Sequence, residues 1–230
     1  MRGPRVTVTG FCCLAIDTAS DTPTVAACRG DNVAERQVDE GGRTEQIFRY
    51  VDEVLAATGL ALQALDCVAV GRGPGSFTGL RVGMAAAQSL AFGASLPVCP
   101  VSSLGVLAYG AARRAGVERV VAALDARMGE VYAGGYRGRG AAVECVDADC
   151  VMPPGRLEIS GTEAFLAAGP GWAAYPELAA RFADRIESLD PAARPRAADL
   201  LVLAHAAFQR GESVAPADAL PVYLRDRVTG

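Results

Sequence analysis

The chain has 230 residues with 22 basic and 26 acidic side chains, a net charge of -4 and 51% apolar residues; it is long enough for one large or two small domains and too apolar for a disordered chain. Every basic residue is Arg, and the absence of Lys excludes a Walker A loop, whose Lys must reach the phosphates, and all Schiff-base chemistry. The single His, His205, cannot build a two-His metal site, and an acidic, Lys-free chain is a poor stand-alone nucleic-acid binder.

Residues 1–10 read as a ragged start. Three β-runs follow, Phe11–Asp17, Thr24–Arg29 and Asn32–Val38, separated by the turn signals Ser20-Asp21-Thr22-Pro23 and Gly30-Asp31. Arg43–Thr58 is predicted helical, with Ile47, Phe48, Val51, Val54 and Leu55 on one face and Gly59 as the stop. Asp66–Gly71 is a buried strand, and a glycine-rich loop leads from it into a helix over Thr78–Phe92. Pro97–Val101 is a strand, Ser102 caps a helix to about Arg114, and Arg119–Leu124 is another strand. A hairpin is predicted around Glu130–Tyr136 and Ala141–Cys145, then a short helix near Thr162–Ala167, a loop Ala168–Trp172, a helix near Pro176–Arg185 and a last helix Ala197–Arg210 ended by Gly211. The pattern begins again near Arg119, which implies two α/β lobes, 11–115 and 116–230, packed closely together.

Seven Cys at 12, 13, 28, 67, 99, 145 and 150, an odd number without any C-x-x-C, fit reduced thiols in the cytoplasm better than a disulfide framework or zinc ribbon. No apolar run reaches the ~18 residues of a membrane span. Arg2 and Arg5 before the apolar run Phe11–Ile16 faintly mimic a signal peptide, but the run is too short and meets Asp17, so it reads as the first strand.

The segment Gly71-Arg72-Gly73-Pro74-Gly75-Ser76-Phe77-Thr78-Gly79-Leu80-Arg81 carries the most information. Its glycines let backbone approach a phosphate, another helix or another chain. It is neither a Rossmann fingerprint, since the third Gly is missing, nor a P-loop. In the helix after it, Gly79, Gly83, Ala87 and Ala91 recur every four residues. Periodicity by itself fits packing of this small stripe inside its own lobe; the stripe also permits another helix to lie close.

This segment, extended to Val82-Gly83, resembles the glycine motif of the bacterial TsaB family, also called YeaZ. Leu14-Ala15-Ile16-Asp17-Thr18-Ala19, Asp125-Ala126-Arg127-Met128-Gly129-Glu130-Val131-Tyr132 and Pro221-Val222-Tyr223-Leu224-Arg225 match in order, so the resemblance runs from about Phe11 to Arg227. It implies the two-lobed α/β actin/sugar-kinase/Hsp70-like fold, with a mixed sheet flanked by helices in each lobe. It also implies a non-catalytic subunit of the machinery that places threonylcarbamoyl on adenosine 37 of tRNA. The transfer falls to a TsaD-like paralogue with a TsaE-like ATPase, this chain forms a homodimer when alone, and tRNA is met only through the complex, with no membrane. ATP, Mg and metal come through the partners, and none is bound tightly by this chain.

Kinases of this fold hold ATP with three loops. Here they correspond to Asp17-Thr18-Ala19-Ser20, to Asp125–Gly129 and to Ala168-Gly169-Pro170-Gly171, and the first two lack the paired glycines that admit phosphate. The residues of this degenerate cleft are Asp17, Thr18, Gly73, Gly75, Ser76, Asp125, Gly169 and Gly171. Asp17 and Asp125 either hold a metal or cap turns at strand ends. Where many members have His before Thr or Ser, this chain has Arg43-Thr44, and His205 sits in an apolar helix. Arg127 and Glu130 lie at the lobe junction, either as a scaffold ion pair or facing a partner. The resemblance assigns partner contact to the helices 43–58 and 78–92, through Thr44, Ile47, Phe48, Val51, Phe77, Thr78, Gly79, Leu80, Arg81, Gly83, Met84 and Ala87. Two other functions, an independent ATPase or kinase of the same fold and a metallopeptidase-like enzyme, need intact phosphate loops or a metal or nucleophile–His pair, and the sequence offers neither.

Overall fold

The computed structural model describes residues 10–38 and 44–225, without the side chains of Thr44 and Glu45. The first lobe runs β1 (Cys12–Asp17), β2 (Thr24–Arg29), β3 (Asn32–Gln37), α1 (Thr44–Thr58), β4 (Cys67–Gly71), α2 (Phe77–Ala94), β5 (Val98–Val101) and α3 (Ser103–Ala115). The second runs β6 (Arg119–Asp125), β7 (Val131–Arg139), β8 (Ala142–Met152), β9 (Phe165–Ala168), α4 (Gly171–Ala174), α5 (Pro176–Arg181), β10 (Ile186–Asp190) and α6 (Ala197–Gln209). The sheets are ordered β3-β2-β1-β4-β5 and β10-β9-β6-β7-β8. In each, three antiparallel strands are followed by two parallel ones, so the second lobe repeats the topology of the first.

Both faces of the first sheet are covered, which is why β1 and β4 read as unbroken apolar runs. Leu14, Ile16, Val68 and Val70 face Val51, Val54 and Met84 of α1 and α2, while Cys13, Ala15, Cys67 and Ala69 face Leu200, Leu201 and Ala204 of α6. Cys13, Cys28, Cys67 and Cys99 thus serve as small hydrophobes beneath α6. The second sheet packs Val120, Ala122 and Leu124 on Leu104, Leu107 and Ala111 of α3, and its other face on Trp172 and Leu178.

α3 and α6 are therefore exchanged. Each follows the last strand of one lobe and packs on the sheet of the other, and the two helices touch. The strands divide at 115/116, but the helices do not. Residues after α6 also return to the first lobe, where Val214 bridges Val98 at the β5 edge. A contiguous second lobe of 116–230 is thus corrected by the packing, and residues 226–230 lie outside the described residues. α6 has no capping side chain of its own. Thr24 Oγ1 accepts from Ala197 N at 2.8 Å and Glu35 Oε1 from Ala198 N at 2.9 Å, so the first lobe supplies the cap.

Three expectations in the second lobe change. The helix predicted near Thr162–Ala167 is strand β9, because parallel pairing of Phe165–Ala168 beside β6 buries all four residues and outweighs the helix propensity of Leu and Ala. The loop at Gly171 begins the short helix α4, and the helix predicted to Arg185 stops at Arg181. β10 was invisible as a pattern, since its Glu187, Ser188 and Leu189 are exposed at the sheet edge. Among the described residues no helix is long and apolar enough to cross a membrane.

Asp199 clamps the exchanged helices. It is 2% exposed and lies 3.0 Å from Arg113 and 3.2 Å from Arg114, reaching α3 where Gly110 has no Cβ to obstruct it. Asp199→Ala is expected to lower the unfolding free energy by about 2 kcal/mol, with the arginines partly resolvated at the surface. Urea melts test this, and a change below about 0.5 kcal/mol would show the clamp to be idle.

Candidate functional site

β1 delivers Asp17 to the lobe junction, where it is 1% exposed. Its Oδ1 accepts from Ala19 N at 3.0 Å and its Oδ2 from Ser103 Oγ at 3.4 Å. Ser103 Oγ in turn accepts from Gly73 N at 3.2 Å, and Gly71 leaves room for the carboxyl because it carries no Cβ. Burial without a cation raises the Asp17 carboxyl from its ordinary 3.8 to about 6, against the lowering effect of the Ala19 and Ser103 bonds.

The loop after Asp17 is fastened to α2. Thr18 Oγ1 donates to Gly79 O at 2.7 Å, and Ser76 N donates to Ala19 O at 2.8 Å. Ser76 also caps α2, its Oγ accepting from Gly79 N at 3.2 Å. A Cβ at Gly75 would overlap Ala19 O, one at Gly79 would overlap Thr18 O, and one at Gly83 would overlap Thr18 Oγ1. The glycines that looked suited to phosphate or to a second chain are spent on this internal seat. Gly73, at φ +100°, faces Leu80 and the carbonyl of Val222.

This corrects the expected partner surface. Gly83, Ala87, Leu80 and Met84 of α2, with Ile47 and Val51 of α1, are buried in the first lobe's own core, and Gly79 abuts Thr18. The 3.6-residue period found a packed face, but that face looks inward. Phe48, Phe77, Thr78 and Arg81 point outward, and Phe92, 81% exposed, extends the outer face of α2. Arg43 and the side chain of Thr44 lie outside the described residues.

In the second lobe Asp125 holds the position that Asp17 holds in the first, and it caps the β6–β7 turn. Its Oδ1 accepts from Arg127 N at 2.8 Å and from the Tyr175 hydroxyl at 2.9 Å, and Arg127 Nη1 pairs with Oδ2 at 3.2 Å. The turn carries φ of +61°, +56° and +75° at Arg127, Met128 and Gly129, an uncommon conformation for the first two. Glu130 pairs with Arg225, not with Arg127, and Arg225 also donates to Ala126 O at 3.1 Å. The third loop is closed as well: Gly169, at φ +108°, and Gly171 lie against the backbone of Ala123. The structure thus unites Asp17, Thr18, Gly73, Gly75 and Ser76, whereas Asp125, Gly169 and Gly171 have separate partners. Among the described residues no three His, Cys, Asp or Glu groups are placed to hold a metal ion. His205 stacks on Phe11 with ring centres 4.8 Å apart.

Two contributors escaped the sequence. Ser103 joins Asp17 to the glycine loop, and its only signal was the Ser pair that starts α3. Tyr223 packs its ring 5.5 Å from that of Phe77, bringing the C-terminal motif beside α2.

Repeated sheets, exchanged helices and loops at the strand ends between them define a two-lobed protein of the actin/sugar-kinase/Hsp70-like fold, with its first phosphate-loop position packed onto its own helix. A family profile described as TsaD, tRNA N6-adenosine threonylcarbamoyltransferase, matches residues 42–229. The tRNA threonylcarbamoyladenosine biosynthesis protein TsaB of Escherichia coli is 38% identical over 94% of this chain and 95% of its own length. Its namesake from Haemophilus influenzae is 35% identical over 94% of each. The solved structure of YeaZ from Pseudomonas aeruginosa superposes with a TM-score of 0.84 at 37% identity, covering 93% of this chain and all of that one. The chain belongs to the TsaB (YeaZ) family of tRNA threonylcarbamoyladenosine biosynthesis proteins.

Gly83→Leu drives a side chain into Thr18, and overpacking of this kind costs roughly 1–3 kcal/mol. The melting temperature is expected to fall by roughly 5 °C or more; unchanged melting would place the stripe outside the core. Asp17 gives a pH test. Because its folded-state value lies above the ordinary one, the folded chain holds this proton more tightly. Its contribution is neutral below about pH 4, becomes unfavourable as pH rises towards 6, and is a steady cost of about 3 kcal/mol above that. Asp17→Asn should therefore gain stability relative to wild type as pH rises from 4 to 7, read by denaturant melts; a pH-independent difference would contradict the assignment.

Proposed function

We propose that this chain is the non-catalytic pairing subunit of the machinery that makes N6-threonylcarbamoyladenosine at position 37 of tRNA. It pairs with a TsaD-like paralogue that performs the transfer, and a TsaE-like ATPase completes the system. The observation that carries this reading is the seat of Thr18-Ala19 on Gly75, Gly79 and Gly83. In a phosphotransferase of this fold that loop must stand open to phosphate; here main chain and helix fill the space. Asp17, buried and engaged by Ser103, and Asp125, capping its turn, are likewise occupied in holding loops.

The outer faces of α1 and α2 serve as the pairing surface, through Phe48, Phe77, Thr78, Arg81 and Phe92. They expose large apolar groups beside a guanidinium, the composition of a protein interface. The same surface supports a homodimer when the chain is alone. Net charge of -4 and dispersed arginines leave tRNA to the complex, and the site of action is the cytoplasm.

Calorimetry of the isolated chain with Mg-ATP is expected to show no micromolar one-to-one binding. Light scattering of a mixture with the cognate TsaD-like protein is expected to show a stoichiometric complex, and transfer to tRNA should require both chains. Micromolar ATP binding by the chain alone, nanomolar tRNA binding with a steep salt slope, or no complex with the paralogue would each overturn the proposal.

A further inference from the structure

The geometry points to Arg81 as the anchor of the pairing surface, receiving a carboxylate from a protein partner. This inference rests on the pairing role proposed above and adds the chemistry of the contact. Arg81 lies one helical turn beyond Phe77 on the outer face of α2. Its guanidinium carbon sits 3.8 Å from the centre of the Phe77 ring and 5.9 Å from that of Tyr223, and its Nε donates to the Tyr223 hydroxyl at 3.2 Å. Phe77 and Tyr223 remain 47% and 45% exposed. The guanidinium is therefore held by two rings, with one nitrogen committed. Among the described residues neither terminal nitrogen of Arg81 has an acceptor.

Among the described residues, the two cations at the far end of the strap are ion-paired. Arg225 pairs with Glu130 and Arg127 with Asp125. Tyr223 itself is fixed from both sides: Val222 N donates to Arg72 O at 2.8 Å, and Arg225 grips the 126–130 turn. Three chain segments, α2, the 221–225 strap and the β6–β7 turn, thus hold Arg81 in place.

A planar guanidinium held in this way loses little freedom when it forms two parallel bonds to a carboxylate. Once a partner covers the surface, the cation is desolvated, and an unpaired buried charge is strongly disfavoured. The stacking rings keep it from swinging out to water, so the partner has to bring the anion. Phe77 and Tyr223 supply an apolar rim that excludes solvent around the pair. A guanidinium stacked within aromatic surface, with no carboxylate on it among the described residues, suits an Asp or Glu flanked by apolar side chains. It does not suit a nucleic-acid backbone, which needs several cations in a row.

The test is calorimetric titration of the full chain into the cognate TsaD-like protein, with circular dichroism to verify folding of these surface variants. Arg81→Glu is expected to weaken binding by about a hundredfold or more. Arg81→Lys, which keeps the charge but not the planar fork, should weaken it by about tenfold. Arg81→Gln should flatten the salt dependence of affinity relative to wild type. Unchanged affinity of Arg81→Glu would overturn the inference and leave the pairing role standing. Loss of self-association alone, with partner binding intact, would overturn it by assigning the site to a second copy. Failure of the wild-type chain to bind the partner would remove both.

Discussion

Two helices occupy the space between two sheets, and each is anchored on the sheet that it does not follow in sequence. This exchange of α3 and α6 is the constraint on which the rest of the molecule depends. It buries both faces of each sheet, so the central strands can be apolar throughout. It makes the lobes interdependent, since one face of each sheet is covered by a helix that follows the other sheet in sequence. It also fixes the start of α3 at the lobe junction, where Ser102 caps the helix and Ser103 meets Asp17. Asp199 and the cap from Thr24 and Glu35 hold the exchanged helices at polar points, where misplacement would leave buried groups unpaired.

With the lobes fixed, the junction between them is free to take one of two forms. A strand-end loop can stand away from its neighbours and cradle an anion, or it can close onto a helix. This chain takes the second course. The absence of a Cβ at Gly75, Gly79 and Gly83 lets Thr18 and Ala19 lie against the start of α2, where Ala19 O accepts from Ser76 N and the Thr18 hydroxyl donates to Gly79 O. The carboxylate left behind, Asp17, is buried against hydroxyl and amide donors with no cation, and its raised pKa records that environment. A residue type shared with phosphotransferases thus acquires a structural task once its surroundings change.

The two faces of α2 divide the work. One carries Leu80, Gly83, Met84 and Ala87 into the core; the other carries Phe77, Arg81 and Phe92 to solvent. The strap that ends the described chain lies along the outer face and continues to the β6–β7 turn, so Tyr223 and Arg225 join the helix to the second lobe. A surface assembled from both lobes is sensitive to their relative placement, which the exchanged helices hold constant.

The sequence by itself determined the elements whose signals are local. Ser102 as a cap, Gly59 and Gly211 as stops, and the short apolar runs of β1, β2 and β4 placed most of the first lobe within a residue or two. Motif order carried the family. It did not determine β9, where Leu and Ala propensity lost to pairing with β6, nor β10, an edge strand without an apolar face. It marked the glycines but not what they approach, because a missing Cβ shows that something comes close without saying what. The small stripe of α2 was legible as a face, yet its direction was not, since period 3.6 fixes which residues stand together and not which neighbour they meet. That choice, like the pairing of Glu130 with Arg225 and the contact of Arg81 and Phe77 with Tyr223, joins residues 61 to 146 positions apart. Only the tertiary structure brings such groups within reach, because hydrogen bonds and ring contacts act over a few ångströms and leave no periodic trace along the chain.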